Sequence, residues 1–315
     1  MSKRLEESKK VFLQFMSQDW KSTLKKALIL AAGAGTRFLP ASKAIPKLLF
    51  PVIDKPIIQI VVEEVVKAGI TGITFVLSPF SPEFCQAIKN HFSPIPALNE
   101  FLQKSGKEQY LEELKRIEGM ANYSFVLQRP GRHGAGTAIL SASEQIGNEP
   151  FLMLFSDEFY LADPPWITQL LNAYEKYQAS ILGCIRSEAG DRFGFVVGEN
   201  TNEKVVKVED LIEKPGIGNL PSNLASMSGM IFEPEIFDCL IEADKDMEPG
   251  RELYHTYGIK KMLAKSLSFY AVEYQNYRYF DTGDRFGYLK SLVELGLAYP
   301  QFGKEFRSWL KERIS

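Results

Sequence analysis

The chain has 315 residues, 45% of them hydrophobic, enough to bury one large core or one core with a smaller appended lobe. A net charge of -2 and a pI near 6.1 supply no basic field, which argues against a nucleic-acid binder. Cys85, Cys184 and Cys239 are odd in number and without CxxC spacing, so neither a disulfide framework nor a zinc site is supported and a reducing cytoplasm fits.

Residues 1–25 are charged and mixed, with Val11, Phe12, Phe15 and Met16 at helical spacing, which predicts an amphipathic helical extension packed on the domain or on a partner subunit. They lack the apolar h-region and cleavage site of a signal peptide, and no stretch of the chain is apolar for long enough to span a bilayer.

A strand predicted over 27–32 runs into a glycine turn crowded with cations, LILAAGAGTRFLPASKAIPKLLFP over 28–51. Gly33 and Gly35 let backbone N–H groups approach an anion without Cβ interference, and Arg37, Lys43 and Lys47 follow at spacings that allow convergence on one charge. A nucleoside triphosphate is the ligand this pattern predicts. The dinucleotide fingerprint shares its first two glycines, and Asp54 lies at the distance of a ribose-binding carboxylate. However, Phe38 stands where the third glycine belongs, and prolines occupy the helix start. No GK[ST] follows, which excludes the P-loop.

Further along, a helix is predicted over 56–69, a strand over 73–77 and a helix from about Pro82. This alternation predicts a largely parallel sheet covered on both faces. Residues 97–120 read as a helical insertion outside the sheet. A strand over 124–127, a helix over 135–145 and a buried strand over 151–155 follow. From about Ile181 the strands are expected to be shorter and closer together, at 181–186, 195–198, 205–208 and 227–232, forming the far wall of a cleft. Helices at 234–241 and 252–265, a strand at 267–274 and two terminal helices over about 284–313 complete the chain.

Five further segments carry chemistry. FLMLFSD over 151–157 ends a buried strand in Asp157, which faces the ligand crevice of an open α/β sheet and is a candidate for magnesium. Asp281, placed after the 267–274 strand, supplies the second carboxylate. Glu213 and Lys214 close a strand with an acid and a base side by side, fit for sugar hydroxyls and a sugar phosphate, and Gly194 leaves room for a sugar against the backbone. Gln128 precedes RPGRHGAGTA, where its amide can read a pyrimidine edge and Gly134 and Gly136 allow close approach to the ring. His133 reads as a loop residue.

Taken together, AAGAGTRFLPASKAIPK, IDKP at 53–56, IIQIVVEEVVKAGI, the 128–138 loop, EKP at 213–215, PSNLAS at 221–226 and DTGDRFGYLKSLVELGLAY at 281–299 resemble the bacterial UTP:glucose-1-phosphate uridylyltransferases over about residues 25–315. The resemblance implies a Rossmann-like nucleotidyltransferase fold of the α/β class, with a mixed, mostly parallel central sheet flanked by helices. It implies a cytoplasmic homo-oligomer acting on UTP and glucose 1-phosphate with Mg²⁺. By motif, Arg37 and Lys47 are the catalytic cations, and Ala32, Gly33, Gly35, Gln128 and Gly134 bind the nucleotide. Gly194, Glu213 and Lys214 hold the sugar phosphate, and Asp157 and Asp281 the metal. The sequence departs from the family pattern at 156–158, where Ser-Asp-Glu replaces an Asp pair, and at 250–259, where GRELYHTYGI replaces a GGEIQLTDAI-like helix start. The sister reading keeps the fold and takes dTTP or another hexose 1-phosphate. A non-catalytic nucleotide-binding paralogue is the third.

Overall fold

The structure, a computed structural model, describes residues 24–202 and 204–314; the amphipathic helix expected over 1–25 lies almost wholly outside them. Strand β1 (Lys26–Ala31) leads into three short 3-10 turns and a two-strand hairpin, β2 (Pro51–Val52) and β3 (Lys55–Pro56). Then follow α1 (Ile57–Lys67), β4 (Gly72–Leu77) and α2 (Pro82–His91). The charged stretch after it holds α3 (Pro96–Lys104) and α4 (Glu108–Gly119), before β5 (Asn122–Leu127). The next helix is broken into α5 (Ala135–Ser141) and α6 (Ser143–Ile146), where the Ser141 hydroxyl bonds back to Thr137 O at 2.7 Å and bends the turn.

After β6 (Phe151–Phe155) come two elements not expected from the sequence, β7 (Glu158–Ala162) and α7 (Trp166–Tyr177). Strands β8 (Ser180–Arg186), β9 (Gly194–Asn202), β10 (Val205–Glu213) and β11 (Leu224–Phe232) follow, then α8 (Ile236–Asp246), α9 (His255–Ala264) and β12 (Phe269–Glu273). The chain closes with β13 (Tyr277–Asp281), also unexpected, α10 (Arg285–Ala298) and α11 (Gly303–Ile314).

Nine strands form one mixed sheet in the order β5-β4-β1-β6-β11-β8-β12-β10-β9. The β5-β4-β1-β6 half is parallel throughout, while β11 runs antiparallel to both β6 and β8. Side chains alternate between two apolar clusters: Ala27, Ile29 and Ala31 of β1 join one, Leu28 and Leu30 the other. Both faces are covered, which is why these strands read as continuous apolar runs. The expectation of shorter strands after Ile181 is corrected: β9, β10 and β11 are nine residues each, and register shifts in β10 and β11 break the alternation that would have shown their length.

From β1 the chain proceeds outward to β4 and β5, then returns to lay β6 on the other side of β1. That reversal opens a crevice at the carboxyl ends of β1 and β6, where ligands of open α/β sheets bind. A second device serves the same place. The register of β11 shifts between Ser226 and Met230, and there the Ser228 hydroxyl accepts the Phe155 N–H at 3.0 Å while the Ser228 N–H reaches Glu158 Oε2 at 3.2 Å. The bulge needs Gly229, whose φ is +95°; a Cβ there would lie 2.3 Å from Tyr274 Oη and 2.8 Å from both Leu170 and Trp166. Gly229→Ala should therefore destabilise the fold by more than about 2 kcal/mol, measured by urea unfolding.

Candidate functional site

The loop after β1 is anchored before it is charged. Phe38 is buried edge-on against Phe50 and Tyr288, with ring centroids 5.3 and 5.8 Å away, so the loop folds back on α10 and the hairpin. Gly35 takes φ +67°, and its carbonyl accepts the Ser42 hydroxyl at 2.8 Å. A Cβ there would also press on Ser42 and Lys47 at 3.4 and 3.5 Å. This turn sets Arg37 and Lys47 on the crevice. Lys43, expected to converge with them, is instead exposed and lines neither of the two cavities described below, because its 3-10 turn faces solvent.

Lys47 forms an ion pair with Asp157 in which both side chains are largely buried. Asp281 does not follow the 267–274 segment directly, as expected, but ends β13, which pairs antiparallel with β7 so that Asp281 lies opposite Glu158. The Thr282 N–H and hydroxyl both bond to Asp157 O, at 2.9 and 2.7 Å, and bring the two acids together. A Cβ on Gly283 would lie 2.9 Å from Asp281 Oδ1 and 3.0 Å from Asp157 Oδ2, so both carboxylates converge on one point. Asp281 is paired with Arg192, and Arg37 Nη1 donates to Gly283 O at 3.2 Å. Among the described residues no cluster of three or more metal-ligating side chains occurs. Two convergent carboxylates nevertheless fit a hard cation that takes its other ligands from phosphate and water. Glu158, beneath them, has its pKa pushed up to about 8 by burial and then by the charges of Asp157 and Asp281. It is protonated at neutral pH.

Gln128 follows β5 directly, its N–H bonded to Leu77 O at 2.8 Å, and faces the first cavity. The glycines after it have a second purpose that sequence alone did not reveal. A Cβ on Gly134 would meet Leu253 O at 2.4 Å and one on Gly136 would meet it at 2.8 Å, because Leu253 lies backbone-to-backbone against this loop. Its N–H donates to His133 O at 2.7 Å, and its carbonyl accepts from Gly136 N–H at 2.8 Å. Arg132 completes the join, bonding Asp244 Oδ1 at 2.7 Å and the carbonyls of Met247 and Glu248 at 2.7 and 2.6 Å. Asp54, considered as a ribose ligand, is bonded to the Tyr299 hydroxyl and lines neither cavity.

On the other side Gly194 opens β9 opposite Glu213, the last residue of β10, and a Cβ there would lie 3.3 Å from Glu213 Oε2. Lys214 follows with φ +44°, a left-handed backbone rare outside glycine, held by its N–H bond to Phe193 O at 3.1 Å. Burial raises the Glu213 pKa. Burial lowers that of Lys214, but its bond to Tyr254 and the nearby Glu213 and Glu252 outweigh this and hold it above the ordinary value. Tyr254 was not among the expected site residues; its place beside Lys214 depends on a contact 40 residues away in sequence.

These groups line two cavities. One, of about 670 Å³, is bounded by Ala32, Gly33, Lys47, Gln128 and Gly134. The other, of about 760 Å³, is bounded by Arg37, Gly194, Glu213, Lys214, Tyr254 and Asp281. Gly134, Ala135, Phe155 and Asp157 belong to both. The cleft therefore has two chambers meeting at Asp157, with a cation on each side of it. Such an arrangement can hold two phosphorylated substrates with their phosphates adjoining.

The family pattern described as Nucleotidyl transferase matches residues 26–297. The chain belongs to the nucleotidyltransferase family. Within it the chain groups with the UTP–glucose-1-phosphate uridylyltransferases. It is 38% identical over 290 residues to UTP–glucose-1-phosphate uridylyltransferase 1 of Staphylococcus saprophyticus, covering 91% of this chain and 98% of the relative. It is equally 38% identical over 291 residues to the enzyme of Staphylococcus haemolyticus, covering 92% and 98%. Among solved nucleotidyltransferase structures it superposes on the UTP-bound UGPase of Acinetobacter baumannii with a TM-score of 0.80 at 30% identity, covering 92% of this chain and 99% of that one. A UDP-glucose pyrophosphorylase complexed with UDP-glucose matches with a TM-score of 0.73 at 31% identity, over 87% and 98%.

His255, on the wall of the second chamber, is buried, and burial holds its pKa down to about 4 against an ordinary 6.5. Between those values the unfolded chain binds the extra proton, so this group's contribution to stability is fully present above pH 6.5 and is lost as pH drops toward 4, opposite in sign to that of Glu158. Urea unfolding of the protein and of its His255→Leu variant at pH 7.5 and pH 5 should differ in pH dependence by about 2 kcal/mol, the part lost through this group. His255→Leu should remove that part of the slope.

Proposed function

We propose that the protein transfers UMP from UTP to α-D-glucose 1-phosphate, giving UDP-glucose and pyrophosphate. The observation that carries this is the pair of chambers meeting at Asp157 between Lys47 and Arg37. The named relatives support the choice of substrates.

UTP occupies the first chamber. Gln128 reads the uracil edge, the backbone of Gly134 lines the pocket for the ring, and the backbone of Ala32, Gly33 and Gly35 takes the phosphates. Glucose 1-phosphate occupies the second, with its hydroxyls on Glu213, its ring against the backbone of Gly194 and its phosphate on Lys214. One oxygen of the sugar phosphate attacks the α-phosphorus in line; the new P–O bond forms as the bond to pyrophosphate breaks. The attacking monoester is already mostly ionised at neutral pH, so no strong general base is needed. Lys47 neutralises the charge growing on the α-phosphate and Arg37 that on the departing pyrophosphate. Mg²⁺ held by Asp157 and Asp281 supplies positive charge to the phosphate oxygens when bound.

The buried free thiols of Cys85, Cys184 and Cys239 support a cytoplasmic location, and among the described residues no helix is long and apolar enough to cross a membrane. The homo-oligomer is supported by apolar side chains exposed on α10 and α11, Phe286, Leu289 and Trp309. Light scattering tests it.

Pyrophosphate release that requires both UTP and glucose 1-phosphate is the expected result with the purified protein and Mg²⁺. A preference for dTTP or another sugar phosphate would move the activity to the sister reading. UTP binding without turnover would make the chain the non-catalytic paralogue. Lys47→Met should lower kcat by about 10²-fold or more, as removal of one transition-state donor does. Asp157→Ala should abolish turnover while leaving the circular dichroism spectrum intact, and full activity in that variant would refute the assignment.

A further inference from the structure

Tyr254 stands where three parts of the cleft meet. It follows Leu253, the residue bonded through both its backbone groups to the His133–Gly136 loop of the first chamber. It lines the second chamber. Its hydroxyl accepts a hydrogen bond from Lys214 Nζ at 3.1 Å, and the same ammonium lies 4.6 Å from the centroid of its ring. Lys214 itself is exposed, on a four-carbon stem at the end of a strand whose last turn is left-handed. A lysine so placed explores many rotamers unless something holds its tip.

The chemistry of the holder matters. A carboxylate partner would compete with a phosphate for the ammonium, whereas a phenol oxygen fixes one N–H and leaves the charge free for an incoming anion. Glu252 beside the phenol, and burial with it, raise the Tyr254 pKa, so this oxygen stays neutral. The cation also rests near the ring, an attraction that survives removal of the hydroxyl.

We propose that Tyr254 is the positioning residue for Lys214, and that through it the 250–259 segment sets the affinity for the sugar phosphate. This rests on the assignment of the second chamber to glucose 1-phosphate. The hydroxyl and the ring contribute separately, so Tyr254→Phe isolates the first and Tyr254→Ala removes both.

The test is steady-state kinetics of the full chain with each substrate varied, after thermal melting has shown that Tyr254→Phe remains folded. Tyr254→Phe should raise KM for glucose 1-phosphate about 10-fold, the worth of one hydrogen bond to a charged group, with KM for UTP and kcat changed by less than about twofold. Tyr254→Ala should raise it further. Calorimetric binding of UDP-glucose should show that Tyr254→Phe adds no further loss once Lys214→Met is present, the coupling expected of two residues acting as one unit. Equal increases in both KM values, or an undiminished loss in the Lys214→Met background, would mean a merely structural tyrosine and overturn the inference. A wild-type protein silent with UTP and glucose 1-phosphate overturns the functional reading and this inference with it. An active wild type with an unmoved KM in Tyr254→Phe overturns the inference alone.

Discussion

Two hydrogen bonds from Thr282 to the carbonyl of Asp157 hold the site together across 125 residues of chain. Thr282 is completely buried, so this clamp is shielded from water and both donors are committed to it. It ties the end of β6 to the end of β13 and lays β13 along β7. Everything charged in the cleft is arranged around that joint. Gly283, the next residue, has no side chain because two carboxylate oxygens and Arg37 occupy the space one would take. The Gly283 carbonyl in turn holds Arg37. Without the clamp the two acids would belong to separate strand ends with no reason to converge.

Convergence of acids creates an electrostatic problem, and the structure solves it in pairs. Asp157 is matched by Lys47 and Asp281 by Arg192, while Glu158, with no cation of its own, keeps its proton. A third carboxylate charge there would have to be desolvated next to two others, which costs more than protonation at neutral pH. The charges around this joint are therefore matched within the protein itself. Lys47 and Asp157 both line the cleft, so an anion that took Lys47 as its partner would leave Asp157 a free carboxylate. The balance is exchanged rather than created, which limits the desolvation cost of binding.

Much of this was legible in the sequence, and the parts that were not share a physical cause. The glycine turn, the buried strand ending in Asp157 and the acid-base pair 213–214 are local patterns, and each reaches the cleft wall, the turn through Gly33 and Ala34 while Gly35 lines neither chamber. Strands β7 and β13 pair only with one another among the described residues, at positions from 115 (Tyr277 and Ala162) to 123 (Asp281 and Glu158) apart in sequence, so no local alternation or turn announced them. Helix α7 is different: Trp166, Ile167, Leu170, Leu171 and Tyr174 are buried at helical spacing behind Pro164-Pro165, a pattern local to the sequence. Lys43 shows the converse limit. Spacing permits three cations to converge, but a 3-10 turn between them points one away.

The glycines of the 128–138 loop carry the deepest ambiguity, because a missing side chain does not say which neighbour needs the room. At Gly134 and Gly136 that neighbour is the Leu253 backbone, and its two hydrogen bonds, with the Arg132 clamp, make the 128–138 loop of the first chamber and the 244–255 segment one body. The two chambers are thus coupled by construction, since a backbone shift at Leu253 must displace His133 and Gly136 as well. Side chains beyond that backbone join are freer to vary. Tyr254 projects from the coupled segment into the second chamber alone. A sequence can therefore change there, as it does from the family pattern, and alter one chamber without disturbing the geometry of the other.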